Sequence, residues 1–275
     1  MQGILQGKRG IIFGVMDKNS LAWYVACKCK DEGAEFVITN TDKAISLAET
    51  NLIADELGCK VIACDATKVP DIENLLNEAQ QTLEGKIDFI LHSVAMSQNL
   101  RRHREYPDSN YDYYNTTLDV SAVSLHKILQ TCIKTDALSE GASVVTLTYI
   151  ASGRFMEGYG DMSDAKALLE SIVRNMGGVY GQFRKVRVNA ISQSPTQTRA
   201  EKSFPEAEYF HKYADKMAPL GRATATDCAN LCVMLFSDYT KGLTMQTLYN
   251  DGGFSQTVLS GNFMDSFRNA FEDKK

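Results

Sequence analysis

With 275 residues, 44% of them apolar and 23% charged, the chain has the composition of an ordered globular protein with a sizeable core. A formal net charge of −5 without any Lys/Arg block argues against nucleic acid as a partner. No apolar run approaches the roughly 18 residues that a bilayer span requires, and Met1 to Gly7 carry no secretory apolar region, so a cytoplasmic protein without membrane contact is expected. The seven cysteines are scattered without Cys-x-x-Cys, and the four histidines lack metal-ligand spacing; reduced structural thiols and no metal are expected.

Residues 9–13 (Arg-Gly-Ile-Ile-Phe) read as a short buried strand, followed by Gly14, a polar turn and a helical pattern through Leu21, Val25 and Cys29 to Gly33. Further strands are predicted at 35–39, 60–64 and 88–93. Helices are predicted at 43–57, closed by Gly58 where a positive φ is expected, and at 70–83. After a polar insertion at 98–116 come a helix at 117–134, a strand at 143–148 and a helical run at 164–180. A strand at 186–191, a long segment at 193–221, a helix at 225–237 and a last strand at 246–250 lead to Asp251-Gly252-Gly253.

The strands are continuous apolar runs without in-out alternation, and they alternate with helices at short intervals. That pattern predicts a parallel sheet covered on both faces. Seven strands with no dividing linker and no internal repeat predict an α/β fold, a single doubly wound (Rossmann-type) domain over residues 1–275.

In such sheets the first strand-helix turn takes the pyrophosphate of a dinucleotide. Here it runs from Gly14 to Ala22 and keeps only the first glycine of Gly-x-Gly-x-x-Gly. Ser20 and Leu21 stand where the helix begins and offer a hydroxyl and backbone N–H groups to a phosphate. Asn40, at the tip of the second strand, is neither the acid that selects a ribose 2′-hydroxyl nor the base that selects a 2′-phosphate. Lys18 and Lys43 keep a 2′-phosphate possible; NADH is expected ahead of NADPH, with NADPH still open. Asp65 and Ala66, after the third strand, are placed to meet an adenine amino group.

The chemistry is expected in the stretch from Thr148 to Lys166, which joins the apolar strand before it to the helix after it. Tyr159 and Lys166 are seven residues apart, and on a helix they would share one face two turns from each other. Two phenols and an amine at a strand's carboxyl end suit stabilisation of a developing oxyanion and the holding of a polar cofactor group.

Taken together, these features resemble the enoyl-acyl-carrier-protein reductases, the divergent branch of the short-chain dehydrogenase/reductase superfamily. The resemblance runs from about Leu5 to Ser255. Its most specific part is Tyr-x6-Lys (Tyr159, Lys166) with Tyr149 upstream, where ordinary members have Tyr-x3-Lys and an upstream serine. Gly14-Val15 with Ser20-Leu21-Ala22, Cys64-Asp65, His92-Ser93, Arg187 to Ser192, Pro195, Thr198 and Asp251 to Phe254 also match. Two departures stand out: Ala95 replaces a usual glycine, and Gln193-Ser194-Pro195 replaces Ala-Gly-Pro.

The resemblance implies reduction of the 2,3-double bond of an enoyl thioester on an acyl carrier protein, by hydride from NADH, in fatty-acid elongation. Tyr159 would stabilise the enolate oxygen, Lys166 would hold the nicotinamide ribose, and Tyr149 would contact or orient the substrate. Ser93, Val94 and Ala95 are expected along the cofactor, with Ile191, Pro195, Thr196 and Thr198 framing the nicotinamide. Ala95, Met96, Met162 and Phe204 are expected at the substrate, with Phe155 and Met156 adding to its apolar wall. The aromatic-rich part of 193–221 is expected to cover the acyl chain. Arg101, Arg102, Arg104, Lys202 and Lys212 would face an acidic carrier, and a homotetramer is expected, in contact through the helix after Tyr159 and the last strand. The rival readings are a carbonyl or ketoacyl reductase, disfavoured by Tyr149, and a catalytically silent nucleotide sensor, disfavoured by Tyr159 with Lys166.

Overall fold

A computed structural model describes residues 3–196 and 207–272. Seven strands form one parallel sheet: β1 (Arg9–Phe13), β2 (Glu35–Asn40), β3 (Lys60–Ala63), β4 (Ile87–His92), β5 (Leu138–Thr148), β6 (Arg187–Gln193) and β7 (Thr247–Asn250). Their order is β3-β2-β1-β4-β5-β6-β7, with Ile12 in register with Ile38 on one side and Leu91 on the other. The strand order therefore reverses between β1 and β4, which opens a crevice at their carboxyl ends.

Helices α1 (Leu21–Asp31), α2 (Asp42–Leu47), α3 (Thr50–Leu57) and α4 (Val69–Thr82) alternate with the first strands. Continuous apolar strands need cover on both faces, and two cores supply it. One face packs Ile72, Leu75, Leu129, Leu169 and Tyr180; the other packs Val25, Cys29, Ile53, Cys232 and Phe236. All seven cysteines are free thiols, five of them buried. No helix among the described residues is long and apolar enough to cross a membrane.

The helix predicted at 43–57 is two helices. Glu49 N–H donates to the carbonyl of Met16 (3.0 Å) and the Thr50 hydroxyl to that of Val15 (3.1 Å). These bonds tie the chain to the turn after β1, and Ala48 takes an extended conformation that ends α2. Gly58 closes α3 at φ +63°, as its sequence position predicts.

The polar insertion folds as α5 (Gln98–Arg101) and α6 (Tyr111–Leu118), which continues through a π-turn at Asp119–Val123 into α7 (Ser124–Thr135). The π-turn serves the crevice wall, because Ser121 Oγ receives the Met96 N–H at 3.0 Å. The long helix after Tyr159 is α8 (Asp161–Arg184), followed beyond β6 by α9 (Ala207–Met217), α10 (Ala225–Phe236) and α11 (Gly261–Glu272). Gly160 precedes α8 at φ +49°, so Tyr159 lies outside the helix. The expected two-turn spacing along one helix face is thereby corrected: Tyr159 stands in the turn before the helix that carries Lys166.

Candidate active site

The crevice begins at the tips of β1 and β4. Gly14 has φ +93°, and a Cβ there would stand 2.0 Å from the carbonyl oxygen of Ser93. Only glycine permits that approach, which brings the first turn against the loop after β4.

Ser20 caps α1: its hydroxyl accepts from Trp23 N–H at 3.3 Å and donates to the Asp17 carbonyl at 2.7 Å. The hydroxyl is thus turned to the cap, and the anion-attracting part of this turn is the backbone at the start of α1. Asn40 is similarly engaged, donating to the Val15 carbonyl (3.3 Å) and accepting from Thr41 N–H (2.9 Å). Lys18 pairs with Glu56 at 2.7 Å and lies over the Trp23 ring.

At the other end Lys166, five residues into α8, is almost fully buried and donates to the carbonyl of Leu147 at 2.8 Å. Burial lowers its pKa to about 8, opposed by Glu170. The Tyr149 and Tyr159 rings, which line the same cavity, meet with centroids 5.2 Å apart and planes tilted by 44°. Tyr149 follows β5 in extended conformation.

Beneath Ser93 lies His92, whose Nδ1 is 2.9 Å from Thr146 Oγ1 and whose Nε2 is 2.8 Å from Ser124 Oγ. Ser124 also donates to the Val120 carbonyl (2.7 Å) and Thr146 to the His92 carbonyl (3.2 Å), so both ring nitrogens sit against hydroxyls that are themselves tied to backbone. Burial, aided by the positive Lys166, pushes the His92 pKa down to about 3 and keeps the ring neutral.

These groups border one cavity of about 290 Å³. It brings together Gly14, Ser20, Leu21, Ser93, Val94, Ala95, Lys166, Pro195 and Thr196 of the expected cofactor set, and Met96, Tyr149, Tyr159 and Met162 of the expected substrate set. Met156 also lines it, whereas Phe155 is 93% exposed and forms no part of the wall. Asn40, Asp65, Ala66 and Ile191 are not among the lining residues. Asp65, at the tip of β3, takes hydrogen bonds from the Thr67 N–H (3.0 Å) and hydroxyl (2.6 Å). Ile191 is wholly in the core. Thr198, Lys202 and Phe204 lie outside the described residues.

The departure at Gln193-Ser194 has a structural account. Gln193 Nε2 donates to the carbonyls of Ala223 and Thr224 (both 3.1 Å), and its Oε1 accepts from Asn250 Nδ2 (2.7 Å). Ser194 Oγ accepts from Ala223 N–H at 3.0 Å. The two side chains therefore fasten the end of β6 to the start of α10 and to β7. Ala95 is exposed to the cavity.

Sequence reasoning missed Ser97, Leu100 and Leu147, all of which line the cavity, whereas Met16, Asp17 and Thr148, which line it too, fall within the turn and the stretch it marked. The position of Leu147 near a parallel strand's carboxyl end was the available signal for that residue.

Comparison with known proteins gives a consistent result. The model of the family described as enoyl-(acyl carrier protein) reductase matches residues 14–255. The enoyl-[acyl-carrier-protein] reductase [NADH] 2 of Rhizobium meliloti is 32% identical over 94% of this chain and 96% of its own. The crystal structure of the FabI–NADH complex from Alistipes finegoldii superposes with a TM-score of 0.93 at 46% identity, covering 94% of this chain and 92% of that one. A second FabI structure from that organism gives a TM-score of 0.94 at 43% identity over 99% of both chains.

Proposed function

The chain belongs to the enoyl-(acyl carrier protein) reductase family, and on that premise we propose that it reduces the 2,3-double bond of enoyl thioesters carried by an acyl carrier protein, with NADH as reductant, in fatty-acid elongation. The observation that carries this reading is the joining, in one cavity, of the Gly14 turn with the Tyr149–Tyr159 ring pair and the buried Lys166 amine.

A dinucleotide fits the residues present. The Gly14 turn has the bare backbone approach that a pyrophosphate needs, the start of α1 supplies helix N–H groups, and Lys166 supplies a buried cation at the other end. NADH suits the β2 tip better than NADPH, since Asn40 carries no charge there and Lys18 is paired with Glu56. When bound, NADH supplies the hydride for the β-carbon.

In this reading Tyr159 donates a hydrogen bond to the thioester oxygen, where negative charge grows as the β-carbon is reduced. A preorganised donor of that kind supplies about 3 kcal/mol of transition-state stabilisation. Lys166 holds the ribose hydroxyls and, as a nearby cation, favours charge on that oxygen. Tyr149 orients the thioester from the opposite ring face. Ser93 to Ala95 flank the nucleotide, Pro195 and Thr196 frame the nicotinamide, and Met96, Met156, Met162 and Phe210 exclude water from the reacting carbons.

The segment at 193–221 acts as the substrate cover through α9. Arg101, at the cavity rim and exposed, would meet an acidic carrier protein. A cytoplasmic homotetramer completes the reading, with Val179 and Phe183 on α8 and Tyr249 on β7 as exposed apolar contact residues.

The test is oxidation of NADH, followed by absorbance, on addition of crotonyl and longer enoyl thioesters, repeated with NADPH. Turnover of enoyl thioesters is expected. Turnover of ketoacyl thioesters alone, or nucleotide binding without either reaction, would overturn the reading.

A further inference from the structure

The first residue of α8, Asp161, is wholly buried, yet no cation among the described residues is within ion-pair distance of its carboxylate. Its charge is met by hydrogen bonds instead. Oδ1 accepts from Ser97 Oγ at 2.7 Å; Oδ2 accepts from Asn99 Nδ2 at 2.7 Å and lies 2.9 Å from Thr117 Oγ1. The carboxylate also stands at the start of α8, the positive end of the helix dipole, where a negative charge is favoured. Burying a carboxylate is costly unless its acceptor positions are filled, so this arrangement is a built one.

The partners define what the carboxylate holds. Ser97 lines the cavity and caps α5, receiving the Leu100 N–H at 3.1 Å. Asn99 exchanges two bonds with Asn110, the cap of α6: its Nδ2 donates to the Asn110 carbonyl (3.2 Å) and its Oδ1 accepts the Asn110 N–H (3.0 Å). Thr117 lies on α6. On the other side Tyr159 is two residues before Asp161, across Gly160, and its carbonyl receives the Met162 N–H at 3.2 Å. A Cβ on Gly160 would come 3.5 Å from Leu100 Cδ2, an ordinary contact distance, so the two walls lie close there. One carboxylate thus joins the wall that carries Tyr159 and Met162 to the wall that carries Met96, Ser97 and Leu100.

We propose that Asp161 is a positioning residue that sets the gap between Tyr159 and the Met96–Leu100 wall, and through it both the turnover of enoyl thioesters and their discrimination by acyl-chain length. The proposal rests on the reading given above and deepens it. Asp161 is not among the residues that line the cavity. Its leverage is geometric, because a displacement of about 1 Å at a reacting group costs up to roughly 100-fold in rate.

The test uses the full chain with Asp161→Asn, which keeps the size and removes the charge and one acceptor, and with Ser97→Ala, which removes one donor should the first variant fail to fold. For Asp161→Asn a kcat lowered by about 10- to 100-fold is expected, with NADH affinity, measured by fluorescence titration, within about twofold. The ratio of kcat/KM for long over short enoyl thioesters should change as well. In a Tyr159→Phe background the same substitution should cost only about threefold or less, since the group through which it acts is gone.

Equal losses in both backgrounds would overturn the proposal and leave Asp161 a fold-stabilising residue. A readout independent of turnover is the ring NMR signal of Tyr159 in protein with labelled tyrosine, assigned by its loss in Tyr159→Phe. It should shift in Asp161→Asn or Ser97→Ala, and an unmoved signal overturns the proposal whatever the activity. Failure of the enoyl reductase reading shows separately, as wild-type protein that oxidises no NADH with any enoyl thioester.

Discussion

The amine of Lys166 sits 2.8 Å from the carbonyl oxygen of Leu147, at the end of a strand and out of contact with bulk water. Burial brings its pKa down from 10.5 to about 8. In the free protein the ammonium is therefore lost as pH rises through about 8. NADH affinity should decline across pH 7.5 to 9 by fluorescence titration, and in Lys166→Ala it should be weak throughout, without that inflection. The sign for stability is opposite. Between about 8 and 10.5 the unfolded chain binds more protons than the folded one, so the contribution of this group to stability rises with pH over that window.

Tyr159 and Lys166 face one cavity but serve different partners. Tyr159→Phe keeps the ring that packs on Tyr149 and removes only the hydroxyl. It should lower kcat by roughly 100- to 1,000-fold with NADH affinity retained. Stopped-flow binding and steady-state rates on the two single variants separate the roles; equal loss of NADH affinity in both would contradict them.

Gly14→Ala forces a methyl against the Ser93 carbonyl in a left-handed backbone. Either the turn shifts or the tips of β1 and β4 part, at a strain of about 1 to 3 kcal/mol. A lower melting temperature together with weaker NADH binding is expected. Gly58→Ala, whose Cβ meets nothing within 4 Å at φ +63°, should lower the melting temperature and leave NADH binding unchanged.

His92 is held neutral between Thr146 and Ser124, with a pKa of about 3 against 6.5 when exposed. The unfolded chain then binds the extra proton between pH 6.5 and 3, so stability is lost as pH falls through that range. The linkage amounts to about 2 kcal/mol between pH 7 and pH 5. Urea unfolding at those two pH values should show a smaller difference in His92→Gln than in the wild type, whatever the absolute stability of the variant.

The strands were legible because Ile11-Ile12-Phe13, Phe36-Val37-Ile38 and their counterparts are unbroken apolar runs, which only a sheet buried on both faces explains. Gly14 and the Tyr149, Tyr159 and Lys166 trio were legible from type and spacing. What escaped depends on contacts remote in sequence. The break between α2 and α3 is made by Met16 and Val15, more than 30 residues before it. The positions of α5 and α6 depend on Asp161, which reads in sequence as an ordinary helix-start acid. Phe155 looked like part of an apolar wall because its neighbour Met156 is, but the loop turns it outward.

The wall that α9 gives the cavity is aromatic and is braced from behind. Phe210 on α9 lines the cavity and meets the Phe254 ring edge-on at 6.0 Å. Tyr213 packs edge-on against both Phe254 (5.8 Å) and Phe263 of α11 (5.7 Å). Truncation of Phe210 therefore removes a wall of the cavity, whereas truncation of Phe263 removes the support of the helix that carries it. Phe210 is half-buried, so Phe210→Ala should forfeit about 1 kcal/mol of apolar contact, roughly fivefold in KM. The loss should be confined to acyl chains long enough to reach α9, with crotonyl thioester nearly unaffected. Phe263→Ala should instead raise KM for long chains while increasing protease sensitivity within α9, because the helix loses its brace and the ring does not. A series of enoyl thioesters of increasing chain length, with limited proteolysis of each variant, distinguishes the two. Equal KM effects on short and long chains in Phe210→Ala would remove α9 from the substrate cover.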